Sequence, residues 1–388
     1  MPNSGDGSYA GAMTRFFSCI SIGISLRPAF AIFVLAALAL TFSSSFFLQR
    51  AAVGPSERGV PPPPRRFNST LLQYAAVDLG QAQLKREIAR VLDDTDTSLG
   101  RHRLSVQWRR FRVRDLSSSP TRESADFWAD LRRDLNVWRR AMVYEPEIMA
   151  ELKKIGIGGR RNSSFGSCAV VGNSGILLRT EYGGLIDSHD TVIRLNNAKT
   201  VGFAKHVGTK TTISFVNSNI LHQCARRTNC PCQPYGPRVP VVLYLCQALH
   251  LLDYALCNSS TTGAFVVTDP RFDVLCGRIV KYYSLRRFAA ETGRSLEDWS
   301  GARDGPAFHY SSGMQAVMLA VGVCEKVGIF GFGTAASAKH HYHTSQKAEL
   351  HLHDYVAEME FYRDLVNRPL FIPFVPDSFS FPSVTLYQ

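Results

Sequence analysis

The sequence has none of the short motifs that mark the most common dinucleotide and zinc sites. It contains no GxGxxG fingerprint and no HExxH pair, and its cysteines lack the paired CxxC spacing of a structural zinc site. It also has no internal repeat and no long low-complexity tract, which excludes repeat architectures. With 45% hydrophobic residues over 388 positions it is not a disordered chain. Its length suits one large domain, or two modest ones, with appendages.

Charge is missing from one stretch in particular. Residues 28–49 read PAFAIFVLAALALTFSSSFFLQ, which at 1.5 Å per residue is long enough to cross a hydrocarbon layer of roughly 30 Å. We predict a transmembrane signal anchor here, preceded by a cytoplasmic tail over residues 1–27. A cleaved signal peptide is the alternative, because residues 43–45 are serines that resemble a small-residue cleavage site.

The charges that flank this anchor do not orient it, because arginines lie on both sides. Three N-glycosylation triplets, at Asn68, Asn162 and Asn258, all follow the anchor and can be modified only on the lumenal side. Cysteines are also concentrated after it, in an even number that suits disulfide pairing in an oxidising compartment. We therefore predict a single-pass type II protein with a stem and entry helices over residues 50–160 and a lumenal domain over residues 161–388.

Free buried thiols are the alternative to disulfides at the lumenal cysteines. A zinc site is a further alternative, although the ligand spacing does not favour it; it would use His222, Cys224, Cys230 and Cys232. The pairing of most of these residues does not follow from the sequence. The lumenal cysteines are Cys168, Cys224, Cys230, Cys232, Cys246, Cys257, Cys276 and Cys324.

The formal net charge of +12 fits nucleic acid, an anionic membrane or an acidic substrate as partner, because a positive field raises the local concentration of each. Charge alone does not choose among them. A lumenal domain meets no nucleic acid, so we expect the charge to attract acidic sugar donors and glycans.

From Ser167 onward, short apolar runs alternate with helical patterns. The runs are unalternating and β-branched, as in strands that are buried on both faces of a mainly parallel sheet. We therefore predict an α/β fold with helices on both faces of the sheet. The predicted strands are Cys168–Val171, Thr191–Leu195, Thr211–Val216, Val239–Leu245, Ala264–Val267 and Val327–Phe330. The predicted helices are Gln81–Val91, several within Glu123–Ile155, Asp273–Thr292, Gly313–Cys324 and Leu350–Leu365.

Two turns lie where such a sheet would deliver ligand-binding groups. Gly172–Gly175 follows the first strand, where glycine permits close approach of a ligand and Asn173 and Ser174 offer polar side chains. Tyr310–Gly313 opens a helix, whose N-terminus favours an anion. The alternatives are an ordinary turn at the first place and a serine helix cap at the second.

Histidines crowd into one stretch, at positions 340, 341, 343, 351 and 353, shortly after Gly331 and Gly333. Metal binding is the obvious alternative for this cluster, but no ligand pair of known spacing appears. Asp94-Thr95-Asp96 has the shape of the DxD element that holds a divalent ion in many sugar transferases. It lies at the end of a charged helix far before the sheet, so we interpret it as a solvated helix end.

Taken together, these segments resemble the sialyltransferase family, in the family's own order of motifs. The sequence SCAVVGNSGILLRTEYGGLIDSHDTVIRLNNAKTVGFAKHVGTKTT, Ser167 to Thr212, resembles the large motif. HYSSGMQAVMLAVGVCEKVGIFGFG, His309 to Gly333, resembles the small motif. His341-Tyr342-His343-Thr344 resembles the third motif, and His353 with Glu358 resembles the H-x4-E motif. The family fold is a Rossmann-like variant of the GT-A type, and its members are anchored in the Golgi membrane.

The resemblance implies a role for each matching residue. His353 matches the general base and His341 a residue near the donor phosphate, while Cys168 and Cys324 match cysteines joined by a disulfide. The matching donor-site positions, together with the polar and glycine residues of the two turns, are Asn173, Ser174, Asn196, Ser311, Ser312, Gly313, Gly333 and Tyr342.

The resemblance also implies the chemistry. A CMP-activated, sialic-acid-like sugar would pass to a hydroxyl of a galactose-containing glycan by a single inverting displacement, with histidine as base and no metal or other cofactor. The sequence looks closest to the plant branch of the family, in which CMP-Kdo is a credible donor. The alternatives are a transferase with another donor, such as UDP-galactose, and a non-catalytic homologue that binds glycans or partner enzymes.

Overall fold

The buried apolar runs form one parallel sheet. In the computed structural model it has seven strands in the order β5-β4-β3-β2-β1-β6-β7, and each neighbouring pair is parallel. The strands are β1 (Phe165–Val171), β2 (Thr191–Leu195), β3 (Ile213–Asn217), β4 (Val241–Tyr244), β5 (Phe265–Val267), β6 (Cys324–Phe330) and β7 (Ser383–Tyr387). Because β1 connects to β2 on one side and pairs with β6 on the other, the strand order reverses at β1, and a crevice opens at the carboxyl ends of β1 and β6.

The structure describes residues 67–78, 84–86, 88–89, 122–157, 164–225, 232–248, 250–260, 265–303, 305, 308–333, 335, 338–344, 352–367 and 371–388. The chain divides into two units, Met1–Pro63 and Pro64–Gln388, and every described residue belongs to the second. No helix within the described ranges has both the length and the apolar character needed to span a bilayer. The predicted anchor at residues 28–49 and the Asp94-Thr95-Asp96 segment lie outside those ranges.

Helices flank the sheet on both faces. They are α1 (Ser69–Ala75), α2 (Arg122–Ala141), α3 (Ile148–Glu151), α4 (Gly183–Asp187), α5 (Ala204–Val207), α6 (Ser218–Ala225), α7 (His250–Ser260), α8 (Pro270–Thr292), α9 (Trp299–Ala302), α10 (Ser312–Val323) and α11 (Tyr355–Val366). Residues 84–86 and 88–89 are also helical, as the pattern over Gln81–Val91 predicts.

Two long helices build most of the core. In α8, Asp269 caps the N-terminus by accepting from the Arg271 N–H at 2.9 Å, and Gly293 ends the helix in the left-handed conformation at φ +64°. In α10, every residue from Gly313 to Val323 is buried, and all of them except Gln315 are apolar, because the helix lies between the sheet and its neighbours. The predicted α/β class with a parallel sheet is confirmed.

The predicted disulfide between Cys168 and Cys324 is present and joins β1 to the start of β6. A second disulfide joins Cys232 to Cys257, and Cys224 is also in a disulfide. Cys246 and Cys276 are free thiols, so both alternatives occur in one chain. The zinc site with Cys224 and Cys232 as ligands is wrong, because both sulfurs are already in disulfides.

Candidate active site

The crevice at the carboxyl ends of β1 and β6 holds a cavity of about 520 Å³. Its walls come from the turns after the first four strands and β6, from the start of α10, and from the segment that leads into α11. The sheet order therefore collects residues that are far apart in the sequence around one space. This is the position at which open parallel sheets bind their ligands.

The turn after β1 is locked to the turn after β6. The Gly172 N–H donates to the Phe330 carbonyl at 2.7 Å, and the Ser174 hydroxyl donates to the Gly333 carbonyl at 2.8 Å. A Cβ at Gly172 would lie 2.5 Å from the Gly331 carbonyl oxygen, so only glycine allows the two turns to approach this closely. The floor of the cavity is thus rigid backbone.

Asn173 presents an unsatisfied polar atom at this floor. Its carbonyl accepts from the Tyr342 N–H at 2.8 Å, and the Tyr342 hydroxyl donates to the Lys199 carbonyl at 2.6 Å. The side-chain Oδ1 of Asn173 is buried and has no hydrogen-bond partner within the described part of the chain. Since an unpaired buried acceptor is costly, this atom is suited to accept from a ligand.

Two further asparagines join the next strands to α10. Asn196 has φ +55°, a left-handed conformation that asparagine tolerates better than most residues. Its Oδ1 accepts from the Asn217 N–H at 3.0 Å, while the Asn217 side-chain nitrogen donates to the Ser312 hydroxyl at 2.9 Å. Because the Ser312 oxygen is then an acceptor, its own O–H can donate to a bound anion.

Glu358 holds the N-terminus of α10. Its two carboxyl oxygens accept from the Ser311 N–H at 2.7 Å and from the Ser311 hydroxyl at 2.6 Å. The same hydroxyl caps the helix by accepting from the Met314 N–H at 3.2 Å. Burial raises the pKa of Glu358 to about 7. Ser311 is therefore a helix cap, which was the alternative to an anion-binding residue. Ser312 and Gly313 are the first-turn residues whose N–H groups lack intrahelical acceptors.

Five aromatic rings line one side of the cavity in an unbroken row. From His341 through His340, Tyr355 and His353 to His309, neighbouring centroids lie 4.4, 5.4, 5.5 and 5.1 Å apart. The ring Nδ1 of His353 is 3.0 Å from the His309 carbonyl oxygen. A carbonyl can only accept, so Nδ1 carries the proton and Nε2 is the basic nitrogen of the neutral ring.

His341 is neutral at neutral pH in the ligand-free protein. Burial lowers its pKa to about 4, and the neighbouring His340 adds to the effect. Burial also lowers the pKa of His343 to about 4, and the neighbouring His341 and Lys199 add to this effect. A bound anion would favour the charged form and raise the pKa of His341.

A second layer of carboxyl groups supports these side chains. Asp354, between His353 and Tyr355, is buried and accepts from the Ser284 hydroxyl at 2.7 Å and from Arg287 at 3.0 Å. Asp273 accepts from the Thr268 hydroxyl at 3.0 Å and from the Gln315 amide. Burial raises the pKa of Asp273 to about 7.

A model of glycosyltransferase family 29 (sialyltransferase) matches residues 116–370, about two thirds of the chain. The chain belongs to this family. It is 48% identical to the beta-1,6-galactosyltransferase GALT29A of Arabidopsis thaliana, over 94% of this chain and 99% of that protein. It is also 48% identical to sialyltransferase-like protein 1 of Oryza sativa subsp. japonica, over the same shares of each chain.

A mouse relative is more distant and covers less of the chain. It is named CMP-N-acetylneuraminate-beta-galactosamide-alpha-2,3-sialyltransferase 1, and the match is 30% identical over 45% of this chain and 47% of that protein. The chain is thus a sialyltransferase-like glycosyltransferase of family 29.

Most of the predicted donor-site and catalytic residues meet at the cavity. Those that line it are Asn173, Ser174, Asn196, Ser311, Ser312, Gly313, Gly333, His341 and His353. Tyr342 does not line it; this residue is buried and holds the segments of Asn173 and Lys199 together. Glu358 of the H-x4-E motif binds Ser311 at the start of α10.

Asn217, His309 and Tyr355 line the cavity and were not singled out as site residues from the sequence. Asn217 ends β3, so the rule that predicts a site after β1 applies to it equally.

The three predicted glycosylation sites lie in different settings. Asn68 is exposed and caps α1, whereas Asn258 lies within α7 and Asn162 lies outside the described residues.

Proposed function

We propose that the chain transfers a sugar from a nucleotide donor to a glycan hydroxyl by one inverting displacement, with His353 as general base. The observation that carries this proposal is the hydrogen bond from His353 Nδ1 to the His309 carbonyl, which leaves Nε2 as the basic nitrogen of a ring that lines the cavity. As the acceptor oxygen attacks the anomeric carbon, Nε2 takes its proton, and the nucleotide leaves with the bonding electron pair. A histidine has a suitable pKa for this step.

The leaving nucleotide is stabilised by donors and by the start of α10. Ser312 and Gly313 supply first-turn N–H groups, and the Ser312 hydroxyl can donate. The carboxyl groups that line the cavity, Asp354 and Glu358, are already bound to Arg287 and to Ser311. No carboxylate pair in the described cavity wall is thus left to hold a divalent ion against a diphosphate, which supports a transferase that needs no metal.

We propose UDP-galactose as the donor. The support is the Arabidopsis galactosyltransferase, whose likeness extends over nearly the full length of both chains. UDP-galactose carries its sugar in the α configuration, so inversion yields a β-galactoside, the linkage in that relative's name. The second candidate is a CMP-activated acid such as sialic acid or Kdo, which the family motifs and the mouse relative favour. Inversion of β-linked CMP-sialic acid would yield the α-linkage in the mouse relative's name.

The acceptor would be a galactose-containing glycan, and the reaction would take place in the Golgi lumen behind an N-terminal anchor. Exposed apolar side chains at Leu352 and Val356 lie beside His353 at the cavity rim, where they suit the apolar face of a sugar ring.

The test is an assay of the full-length protein, purified in detergent, with UDP-galactose, CMP-sialic acid and CMP-Kdo on β-galactoside acceptors. We expect galactose transfer into a β-linkage, read by NMR, at a rate that added Mg²⁺ or Mn²⁺ does not raise. His353→Gln should lower kcat at least about 100-fold, while the matched variant His189→Gln, outside the cavity, should leave it unchanged.

Each other result has a distinct meaning. If only a CMP-sugar supports turnover, the donor is a CMP-sugar and the proposed mechanism is unchanged. Full activity in His353→Gln would remove His353 as the base. Nucleotide binding without turnover on any donor and acceptor would favour the non-catalytic homologue.

A further inference from the structure

A second cluster of ligating side chains lies between α6 and α7, away from the base and the histidine row. His222 on α6 and His250 and Asp253 on α7 each bring one ligand atom to within 4.8 Å of the others. Asp253 and His250 are buried, and the His222 side chain is 14% exposed. Asp253 is only 2% exposed, and aspartate is rarely buried to this extent unless it is paired.

Both imidazole rings are oriented by hydrogen bonds. Nδ1 of His222 lies 2.9 Å from a carboxyl oxygen of Asp253, and Nδ1 of His250 lies 2.9 Å from the Ser218 hydroxyl. The rings stack with centroids 4.6 Å apart and an angle of 21° between their planes. The two histidines therefore lie side by side on helices that pack against each other, and the stacked rings would have to turn towards an ion that binds both.

We propose that this cluster is a zinc site with His222, His250 and Asp253 as protein ligands. Two imidazole nitrogens and one carboxylate oxygen are a ligand set that Zn²⁺ accepts, with a water in the fourth position. Because the Ser218 hydroxyl occupies Nδ1 of His250, this ring would bind through Nε2. Zinc bonds of about 2.0–2.2 Å place ligand atoms roughly 3.4 Å apart. The widest separation in the cluster, up to 4.8 Å, would therefore shrink by up to about 1.4 Å on binding, and metal bonds would replace the contact between His222 and Asp253.

The position of the cluster indicates what the ion would do. Its ligands join α6 to α7, and each helix also carries a disulfide cysteine, Cys224 on α6 and Cys257 on α7. Ser218, which orients His250, follows Asn217 in the cavity wall and also accepts from the Cys246 N–H at 3.1 Å. Zinc would thus stabilise the wall that carries Asn217, and it would take no part in sugar transfer.

The rival account is a plain polar contact between two helices, in which His222 and Asp253 share a proton and no metal binds. It predicts the same hydrogen bonds. It differs in metal affinity, in stoichiometry and in the response of unfolding to zinc, and all three can be measured without any sugar substrate.

The experiment uses the full-length protein, purified in detergent without a histidine tag. Zinc is titrated by calorimetry, bound metal is counted by mass spectrometry after dialysis, and thermal unfolding is followed with and without zinc. We expect one zinc per chain and a rise in Tm of several degrees at saturation. Asp253→Asn and His222→Gln, which keep the side-chain size, should each lower zinc affinity at least about tenfold.

Two controls make the result decisive. His189→Gln should leave zinc binding unchanged, and so should His341→Gln, which removes a histidine of the row in the cavity. If His341→Gln lowers zinc affinity and Asp253→Asn does not, the metal binds at the histidine row, and the proposal is overturned. Absence of stoichiometric zinc in the wild-type protein would overturn it as well, and circular dichroism shows whether each variant is folded.

Discussion

At the residue scale, Asn217 connects the turn after β2 to the start of α10. Its backbone N–H donates to Asn196 and its side-chain nitrogen to Ser312, while its own Oδ1 is buried without a partner in the described part of the chain. Asn217→Ala removes the bond to Ser312 and any bond from Oδ1 to the donor. At about 0.5–1.5 kcal/mol for each bond, we expect the KM for the nucleotide donor to rise about tenfold.

Steady-state kinetics with a fixed acceptor measure this effect, and Asn197→Ala is the matched control because Asn197 is an exposed neighbour of Asn196. The variant should change kcat less than KM, since Asn217 binds Ser312, the residue that we propose contacts the nucleotide. An unchanged donor KM, with the protein folded, would mean that Asn217 only fills space in the cavity wall.

Other residue roles followed from the sequence to different extents. The family motifs brought His353, Asn173 and Ser312 into one predicted site, and all three line the cavity. The partner of Glu358 could not be predicted, because Ser311 is 47 positions away and no local pattern records such a contact. Tyr342 was predicted to bind the donor from its motif position, but it does not line the cavity, and its hydroxyl binds the Lys199 carbonyl.

At the scale of elements, the apolar runs of the sequence predict the strands from β1 to β6 and miss β7. Strands β1 to β4 are buried along most of their length, so their apolar runs have no competing interpretation. Strand β7 is the exception, because its sequence SVTLY mixes exposed and half-buried residues and contains no continuous apolar run. Its pairing with β6 depends on long-range contacts that periodicity does not report.

The two described disulfides differ in the length of chain they close. The bond between Cys168 and Cys324 spans 156 positions, and the bond between Cys232 and Cys257 spans 25. In the loop-entropy account, these closures stabilise by about 5 and about 3.5 kcal/mol. We expect Cys168→Ala with Cys324→Ala to lower the free energy of unfolding more than Cys232→Ala with Cys257→Ala.

Urea unfolding of the two double variants measures this difference, and each serves as the control for the other. An equal loss in both, or a larger loss from the shorter loop, would mean that packing around the sulfurs outweighs loop entropy. Donor binding should survive both changes if the protein folds, since none of the four sulfurs lines the cavity.

At the scale of the whole molecule, two sets of buried groups give the stability opposite dependences on pH. The pKa of Glu358 and of Asp273 is raised to about 7, so the folded protein holds protons that the unfolded chain releases above about pH 4.5. This contribution is lost as the pH rises towards 7. The pKa of His341 and of His343 is lowered to about 4, so stability is also lost as the pH falls from about 6.5 to 4.

These opposed slopes act over nearly the same pH range and largely cancel between about pH 4.5 and 6.5, so Glu358→Gln should upset this balance. Glutamine can still accept from the Ser311 N–H and pair with its hydroxyl, but it has no proton to lose as the pH rises. Each pH unit of pKa difference corresponds to about 1.4 kcal/mol, so the variant should lose about 2–3 kcal/mol less than wild type between pH 5 and pH 8. Urea unfolding across this range measures it, with the exposed Glu181→Gln as control. If the stabilities of wild type and Glu358→Gln change in parallel with pH, Glu358 is ionised in the folded protein throughout this range. Its contact with Ser311 is then that of an ordinary charged residue at a helix N-terminus.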